Sequence, residues 1–508
     1  MSELNALLAQ LQAGMSPTTG GAAFGGSRGA SPAVVQDLMK ALTASNYETD
    51  VASLTGGGAL GIQSLDKTMK AVVQEQKHFV LFRRLANSNA TNIVDEYVRK
   101  NGIGGFLGGS TNTQMGVVRS ATGDYSREIG RVKFLMTLRQ VGYVGTLVNN
   151  IASLEAEEEI NGGLQLLTDA EYLLFHGNAD ANPAEFDGIF KLLDDEITAG
   201  NVASDHIVDL DGQPLDSVEP FAKLNAAVAK FGNWGYTTDC FLTQDVQTDL
   251  NMGLDPAFRW QPEGQNAPIH VGQHVAGIRL QNGVLSTNLD TFISYDGFPM
   301  AMPFEVNWSA LATANTTLKP ASVTASASSS DASSRFTTTR AGDYIYAVAG
   351  ISGTGAGQSD LAFVSGAVTV AAGKKVVLTI TKSSGNTETG YAIYRGKQDS
   401  ASVAPADLRL VAVVKKAGNT TEFTDLNHHL PGTTRVPVLN LEPGADAIGW
   451  RQFQSMTKIP LPFGIGLVPQ YSWFQMLFGY LRVTKPKHVG YVKNILPTHA
   501  QWRPHTGE

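Results

Sequence analysis

Few residues in this chain are spaced for chemistry, and each such set needs a particular scaffold around it. Gly25-Gly26-Ser27-Arg28-Gly29 satisfies G-x-S-x-G, the turn that lifts a nucleophilic serine between a strand and a helix. That chemistry also needs a buried strand before the serine, a histidine and an acid. Here the motif lies in a run of Gly, Ser, Thr and Ala from Gly14 to Gly29, so a linker is expected. Gly56 to Gly61 satisfies G-x-G-x-x-G, which cradles a dinucleotide only where a buried strand leads into it. The preceding Asp50-Val51-Ala52-Ser53-Leu54-Thr55 is too polar for that strand, and a loop is expected. His428-His429 offers two metal ligands, but neighbours in an extended chain point to opposite faces, so a solvated turn is expected. Asp187, Asp194, Asp195 and Glu196 form an acidic cluster, read as a solvated face. There is no G-K-[ST] phosphate loop and no H-E-x-x-H. No catalytic, cofactor or metal residue is assigned, and an enzyme is not expected.

The totals narrow the class further. At 508 residues the chain exceeds the size of one core, so two or three domains are expected. Apolar residues make up 43%, which supports an ordered globular protein. A formal charge of −8 argues against wrapping DNA as the main task. The basic stretch Lys67 to Arg84 carries Glu75 and is read first as an exposed helix or a contact to a neighbour's acidic surface, with DNA contact as the other reading. Cys240 is the single cysteine, so neither an internal disulfide nor a cysteine zinc site forms within the chain. No basic run followed by an apolar core marks a secretory signal, and no apolar stretch is long enough for a membrane span.

Positioning elements follow from pattern. Leu4, Leu7, Leu8 and Leu11 give Ser2 to Ala13 a helical stripe, and Ser31-Pro32 starts another helix with Val35, Leu38 and Leu42. The first fifty residues therefore read as an arm. Ile103 to Gly123 is rich in Gly, Ser and Thr, and is flanked by alternating stretches at Gly116 to Arg119 and Arg131 to Leu135. This predicts a long β-hairpin with little core of its own, stabilised by lying on a neighbouring subunit. Leu154 to His176 has helical spacing, with Glu155, Glu157, Glu158 and Glu159 crowding its first turns. Gly162-Gly163 inside it costs about 1 kcal/mol per glycine against alanine. A second helix is predicted over Ser217 to Phe231, and a short apolar strand at Cys240-Phe241-Leu242. From Asp343 onward short β-rich runs separated by turns predict a small sandwich within Ala314 to Glu442. Aromatic-rich segments follow from Trp450, and the run Tyr480 to Lys485 is read as a strand stopped by Pro486.

The order of these parts resembles the tailed-bacteriophage major capsid proteins of the Hong Kong 97-type fold. Phe186-Asp187-Gly188-Ile189, Asp239-Cys240-Phe241-Leu242-Thr243 and the closing Lys493-Asn494-Ile495 carry the likeness. Tyr391 to Arg395 and Thr421 to Asp425 resemble immunoglobulin-like or fibronectin type III modules. The resemblance implies an α+β fold with an inserted all-β sandwich. It divides the chain into an N-terminal arm over 1–64, the start of a peripheral domain over 65–98, and an extended loop over 99–138. A peripheral domain with a spine helix follows over 139–185, then an axial domain over 186–313, the insertion over 314–442, and the end of the axial and peripheral domains over 443–508. It implies self-assembly into pentamers and hexamers of an icosahedral phage head around double-stranded DNA, with the sandwich displayed outside. Scaffold, portal, decoration or minor capsid proteins would be partners, the inner face would meet packaged DNA, and no membrane is involved. The protein would be made in the host cytoplasm and reside in the virion. Proteolytic loss of part of the arm at the Gly14 to Gly29 link is expected by the same resemblance. The alternatives are a phage adhesin or tail-associated receptor- or glycan-binding protein, and a serine hydrolase built on Ser27.

Overall fold

The computed structural model describes residues 79–147, 153–253, 277–281, 283–293, 317–353, 358–464 and 468–505. The chain divides into two units, Met1–Ala71 and Val72–Glu508, and all described residues belong to the second. Ser27, Gly56 to Gly61, the two arm helices and most of Lys67 to Arg84 lie outside the described residues.

A short helix α1 (Leu81–Arg84) opens the described chain, followed by β1 (Ala86–Asn89). A two-stranded ribbon follows, β2 (Val94–Gly102) with β3 (Asp124–Arg131), and then β4 (Lys133–Gly142). Helices α2 (Tyr143–Leu147), α3 (Leu154–His176) and α4 (Ile189–Thr198) come next. Then come β5 (Ile207–Asp209), α5 (Glu219–Val228), β6 (Asp239–Leu242), α6 (Gln244–Gly253), β7 (Gly277–Leu280) and β8 (Gly283–Leu289). The sandwich strands are β9 (Ser322–Ser326), β10 (Gly342–Tyr344), β11 (Tyr346–Ser352), β12 (Ala362–Phe363), β13 (Val368–Val370), β14 (Val376–Thr381), β15 (Glu388–Arg395), β16 (Arg409–Lys415) and β17 (Thr420–Asp425). The chain closes with β18 (Thr434–Leu439), β19 (Ile448–Pro460), β20 (Gln470–Val483) and β21 (Gly490–Ile495). No helix among the described residues is long and apolar enough to cross a membrane.

Helix α3 spans the stretch its periodicity predicts, and its glycines have a packing reason. It lies across the sheet β1-β19-β20-β4. A Cβ on Gly162 would fall 1.9 Å from the Gln475 Oε1, and one on Gly163 would fall 3.3 Å from the Met456 sulfur. The missing side chains let helix and sheet approach. Gln475 fills the space and donates to the Glu159 carbonyl at 2.8 Å. Leu166, Leu173, Leu174 and Phe175 then bury against Trp450, Leu477 and Leu481, together with Ile189, Phe190 and Leu193 of α4. Residues 186–198 thus pack with helix α3.

The second sheet runs β5-β21-β18-β6-β8-β7 and is covered on both faces. Phe241, Leu439 and Tyr491 face the core just described, while Cys240, Leu242, Val436, Val438 and Val492 face α5 and α6. Burial on both faces explains why Cys240-Phe241-Leu242 of β6 is an uninterrupted apolar run. Strand β6 has β8 on one side and β18 on the other, so the chain leaves and re-enters this sheet at positions flanking one strand. That is the geometry of an insertion. Residues 434–439 form a strand of this sheet and not of the sandwich. Helix α5 ends at Val228, short of the expected Phe231, which stands exposed in the turn that follows.

The insertion is a two-sheet sandwich with antiparallel pairing throughout. Sheets β12-β11-β15-β16 and β17-β14-β9 enclose one core of Tyr346, Val348, Val376, Leu378, Ile380, Tyr391 and Ile393, and β10 pairs with β13. At its base Arg395 is sealed from solvent, donates to Asp425 at 2.7 Å and to Asn427 at 2.6 Å, and stacks on Tyr344 and Phe336. The opposite face of its four-stranded sheet is buried too, through Ala347, Ala349, Ala392, Tyr394 and Leu410. Thr389 donates to the Ala181 carbonyl there, and Trp502 donates to the Asp407 carbonyl and stacks on Arg409. Arg340 pairs with Asp211 at 2.6 Å, and Arg335 pairs with Asp209. The sandwich is therefore tied along one side to the body of the chain.

Candidate functional site

The residues singled out for chemistry are dispersed in the structure. Cys240 is buried, and burial pushes its thiol well up, away from the nucleophilic thiolate. His428 is exposed and bonds the Ser333 carbonyl at 2.8 Å. His429 departs from the solvated turn: it is partly buried, and its Nδ1 is sealed without a hydrogen-bond partner. Burial and the nearby Arg435, Lys493 and Arg395 hold its imidazole neutral. The acidic cluster is not one solvated face. Asp187 accepts the Ala179 N–H, Asp194 accepts the Tyr491 hydroxyl, Asp195 pairs with Lys191, and Glu196 pairs with Arg99. Folding recruits each acid to a separate local bond, which spacing alone does not reveal. Among the described residues no three His, Cys, Asp or Glu side chains gather to hold a metal.

What the fold does assemble is uncovered apolar surface, in two patches joined by the ribbon. The first is the sheet face opposite α3. Register places Phe134 opposite Phe478, Met136 opposite Met476, and Leu138 opposite Phe474, with Ile459 opposite Phe474 on the other side. Phe134, Met136, Leu138, Phe474 and Ile459 are exposed. An alternating strand beside one buried face normally turns polar residues outward, and β4 turns Phe, Met and Leu outward instead. The face ends in a partly exposed aromatic cluster of Tyr143, Phe463 and Tyr471.

The second patch is the ribbon and its tip. Strand pairing runs from Val94 opposite Arg131 to Gly102 opposite Asp124. Lys133 and the residues after it belong to the four-stranded sheet, and Gly116 to Arg119 is not a strand. Beyond Gly102 the tip turns on Gly104, Gly105 and Gly108, all at positive φ, where glycine alone is unstrained. Met115 and Val117 are 97% and 93% exposed, with Ile103, Phe106, Leu107 and Val118 open around them.

The ribbon base is tied to the four-stranded sheet of its own subunit. Asp95 accepts from Arg451 at 2.8 and 3.1 Å and from the Tyr480 hydroxyl at 2.7 Å. Arg451 and Tyr480 hold the Asp95 carboxyl below the usual carboxylate range, outweighing the upward push of its burial. The Tyr480 ring occupies the space a Cβ on Gly130 would need. Arg99 reaches Glu196 at 2.6 Å and Glu128 at 3.1 Å, and Arg482 lies over the Tyr97 ring. Sequence reading missed these contacts because each joins residues far apart in the chain. The signal was present only as alternation: Asp95, Tyr97 and Arg99 share one ribbon face. A rigid base thus projects an apolar, glycine-jointed tip, and a bare apolar sheet face lies beside it.

No family model matches the sequence, and no curated protein matches it. Solved structures similar to this chain include the capsid of a native GTA particle, at 8% identity and TM-score 0.44, covering 87% of this chain and 98% of that one. Another is from Mycobacterium phage Bobi, at 9% and 0.40, covering 89% and 99%. A third is the holo-SrpI encapsulin complex from Synechococcus elongatus, at 9% and 0.35, covering 91% and 99%.

Proposed function

We propose that this chain is the structural subunit of a self-assembling protein shell, the major capsid protein of a tailed phage head enclosing double-stranded DNA. The single observation that carries the reading is the bare apolar face of β4 and β20, beside the base of a ribbon that projects an apolar tip. Contiguous apolar surface of this kind is rare on a monomer and marks a protein contact. A face and a projecting tip on one subunit suit a head-to-tail contact that closes into rings. Pentamers and hexamers, a peripheral domain built on α3, an axial domain built on the six-stranded sheet, and an outward sandwich complete the proposal. The role is structural, without catalysis.

The adhesin reading calls for recognition aromatics on the sandwich. Among its described residues the exposed large apolar side chains are Phe363 and Val403, which form no aromatic platform. Electron microscopy of the purified full-length protein tests the proposal. Rings or closed shells are expected; a monodisperse monomer at high concentration overturns it.

A further inference from the structure

Two acids sit in the core where helix α3 meets the segment leading into α1 and the turn after β8. Glu171 and Asp290 are 0% and 1% exposed. Glu171 turns both oxygens onto the first described residues: Oε1 accepts the N–H groups of Val80 at 3.0 Å and Leu81 at 2.7 Å, and Oε2 that of Phe82 at 2.8 Å. Asp290 Oδ1 accepts the Phe292 N–H at 2.9 Å, and the Asp290 N–H donates to the Leu242 carbonyl at 2.9 Å. The Asp290 carboxyl lies in hydrogen-bond contact with Glu171, and its Oδ2 finds no other donor.

Two touching carboxylates sealed from water cannot both be ionised. Three backbone donors favour the charge on Glu171, so the proton resides on Asp290, which donates it to Glu171. We propose that Glu171 and Asp290 share one proton as a latch, tying Val80–Phe82 and the Asp290–Phe292 turn to helix α3, and that removing this proton releases the segment around α1.

The surrounding charges are engaged elsewhere. Arg83 of α1 is exposed, and Arg84 pairs with Asp239, which Asn288 of β8 also bonds. On α3, His176 bonds the Phe292 carbonyl at 2.9 Å. Asp169, two residues from Glu171, points to a different helix face. Burial and the Glu171 charge push the Asp290 carboxyl up to about 9. An unfolded chain releases that proton near pH ~4, so the latch's stabilisation is full below that pH and declines as pH rises toward about 9.

Trypsin tests the latch on the full-length protein, because Arg83 and Arg84 lie within the held segment. Cleavage there is normalised at each pH to a free peptide of the same sequence. Cleavage of wild type is expected to rise by up to about tenfold per pH unit between about pH 6 and about pH 9, and to level off above that. Asp290→Asn keeps the donated hydrogen bond with no proton to lose, and should stay protected throughout. Glu171→Gln should be cut rapidly at every pH without a step. No rise in wild type, or a parallel rise in Asp290→Asn, overturns the proposal. Should Asp290→Asn fail to fold, the wild-type infrared spectrum decides. A protonated-carboxyl band that vanishes over the same range supports the latch, and its absence at neutral pH sinks it.

Discussion

Placing a charge on the bare sheet face is the sharpest test of the shell reading. Leu138 is central to that face: it lies opposite Phe474, which lies opposite Ile459, and the three are 52%, 38% and 43% exposed. Covering the open half of one such side chain is worth roughly 1 kcal/mol, so the five exposed residues of the face contribute roughly 5 kcal/mol when a neighbour covers them. Leu138→Glu removes one share and forces a carboxylate into a dry contact, a cost of several kcal/mol without a partner. Even a net loss of about 3 kcal/mol per contact raises the concentration needed for assembly about a hundredfold. The isolated subunit should be untouched, within about 0.5 kcal/mol, because the residue is open to water there. Sedimentation velocity with negative-stain microscopy measures assembly, and urea denaturation measures the subunit. Shells formed at the wild-type concentration would refute the reasoning. So would a loss of assembly matched by a loss of subunit stability.

Three further outcomes follow from particular contacts. Asp95→Ala leaves Arg451 and the Tyr480 hydroxyl without their acceptor and should cost roughly 2–3 kcal/mol in urea denaturation, with new protease cleavage between 94 and 131. Gly162→Ala improves helix propensity yet should destabilise by about 1–3 kcal/mol, because its Cβ meets buried Gln475; a thermal melt showing a gain would contradict the packing account. Burial holds His176 down to about 4 and His505 down to about 3, so both are neutral in the folded protein. The unfolded chain takes up these protons first, so the urea midpoint should fall as pH drops from about 6.5 toward about 4, and His505→Asn should flatten that slope.

Legibility in the sequence tracked the range of the interaction. Helix α3 could be read because Ile160, Leu164, Leu167 and Leu174 repeat at helical spacing and its acids crowd the first turn. The sandwich strands could be read because Val376–Thr381 and Glu388–Arg395 are β-rich runs between turn residues. Thr434–Leu439 is as β-rich as the sandwich strands, and only its pairing with β6 and β21 assigns it to the six-stranded sheet. The hairpin illustrates both sides. Its glycine-rich tip is a local property of composition, whereas the Asp95–Arg451–Tyr480 anchor spans more than 350 residues and has no local trace.

The sequence by itself determined that a long helix and a β-sandwich are present, and that a glycine-rich loop lies between strands. These follow from periodicity and backbone preference, which act within a few residues. Tertiary structure alone decided which apolar rows are covered. Leu135 and Leu138 look equivalent in the sequence, but alternation sends Leu135 toward α3 and leaves Leu138 bare. It also decided that Glu171 and Asp290 meet. Burial and proximity are properties of the packed chain, and no residue carries them alone.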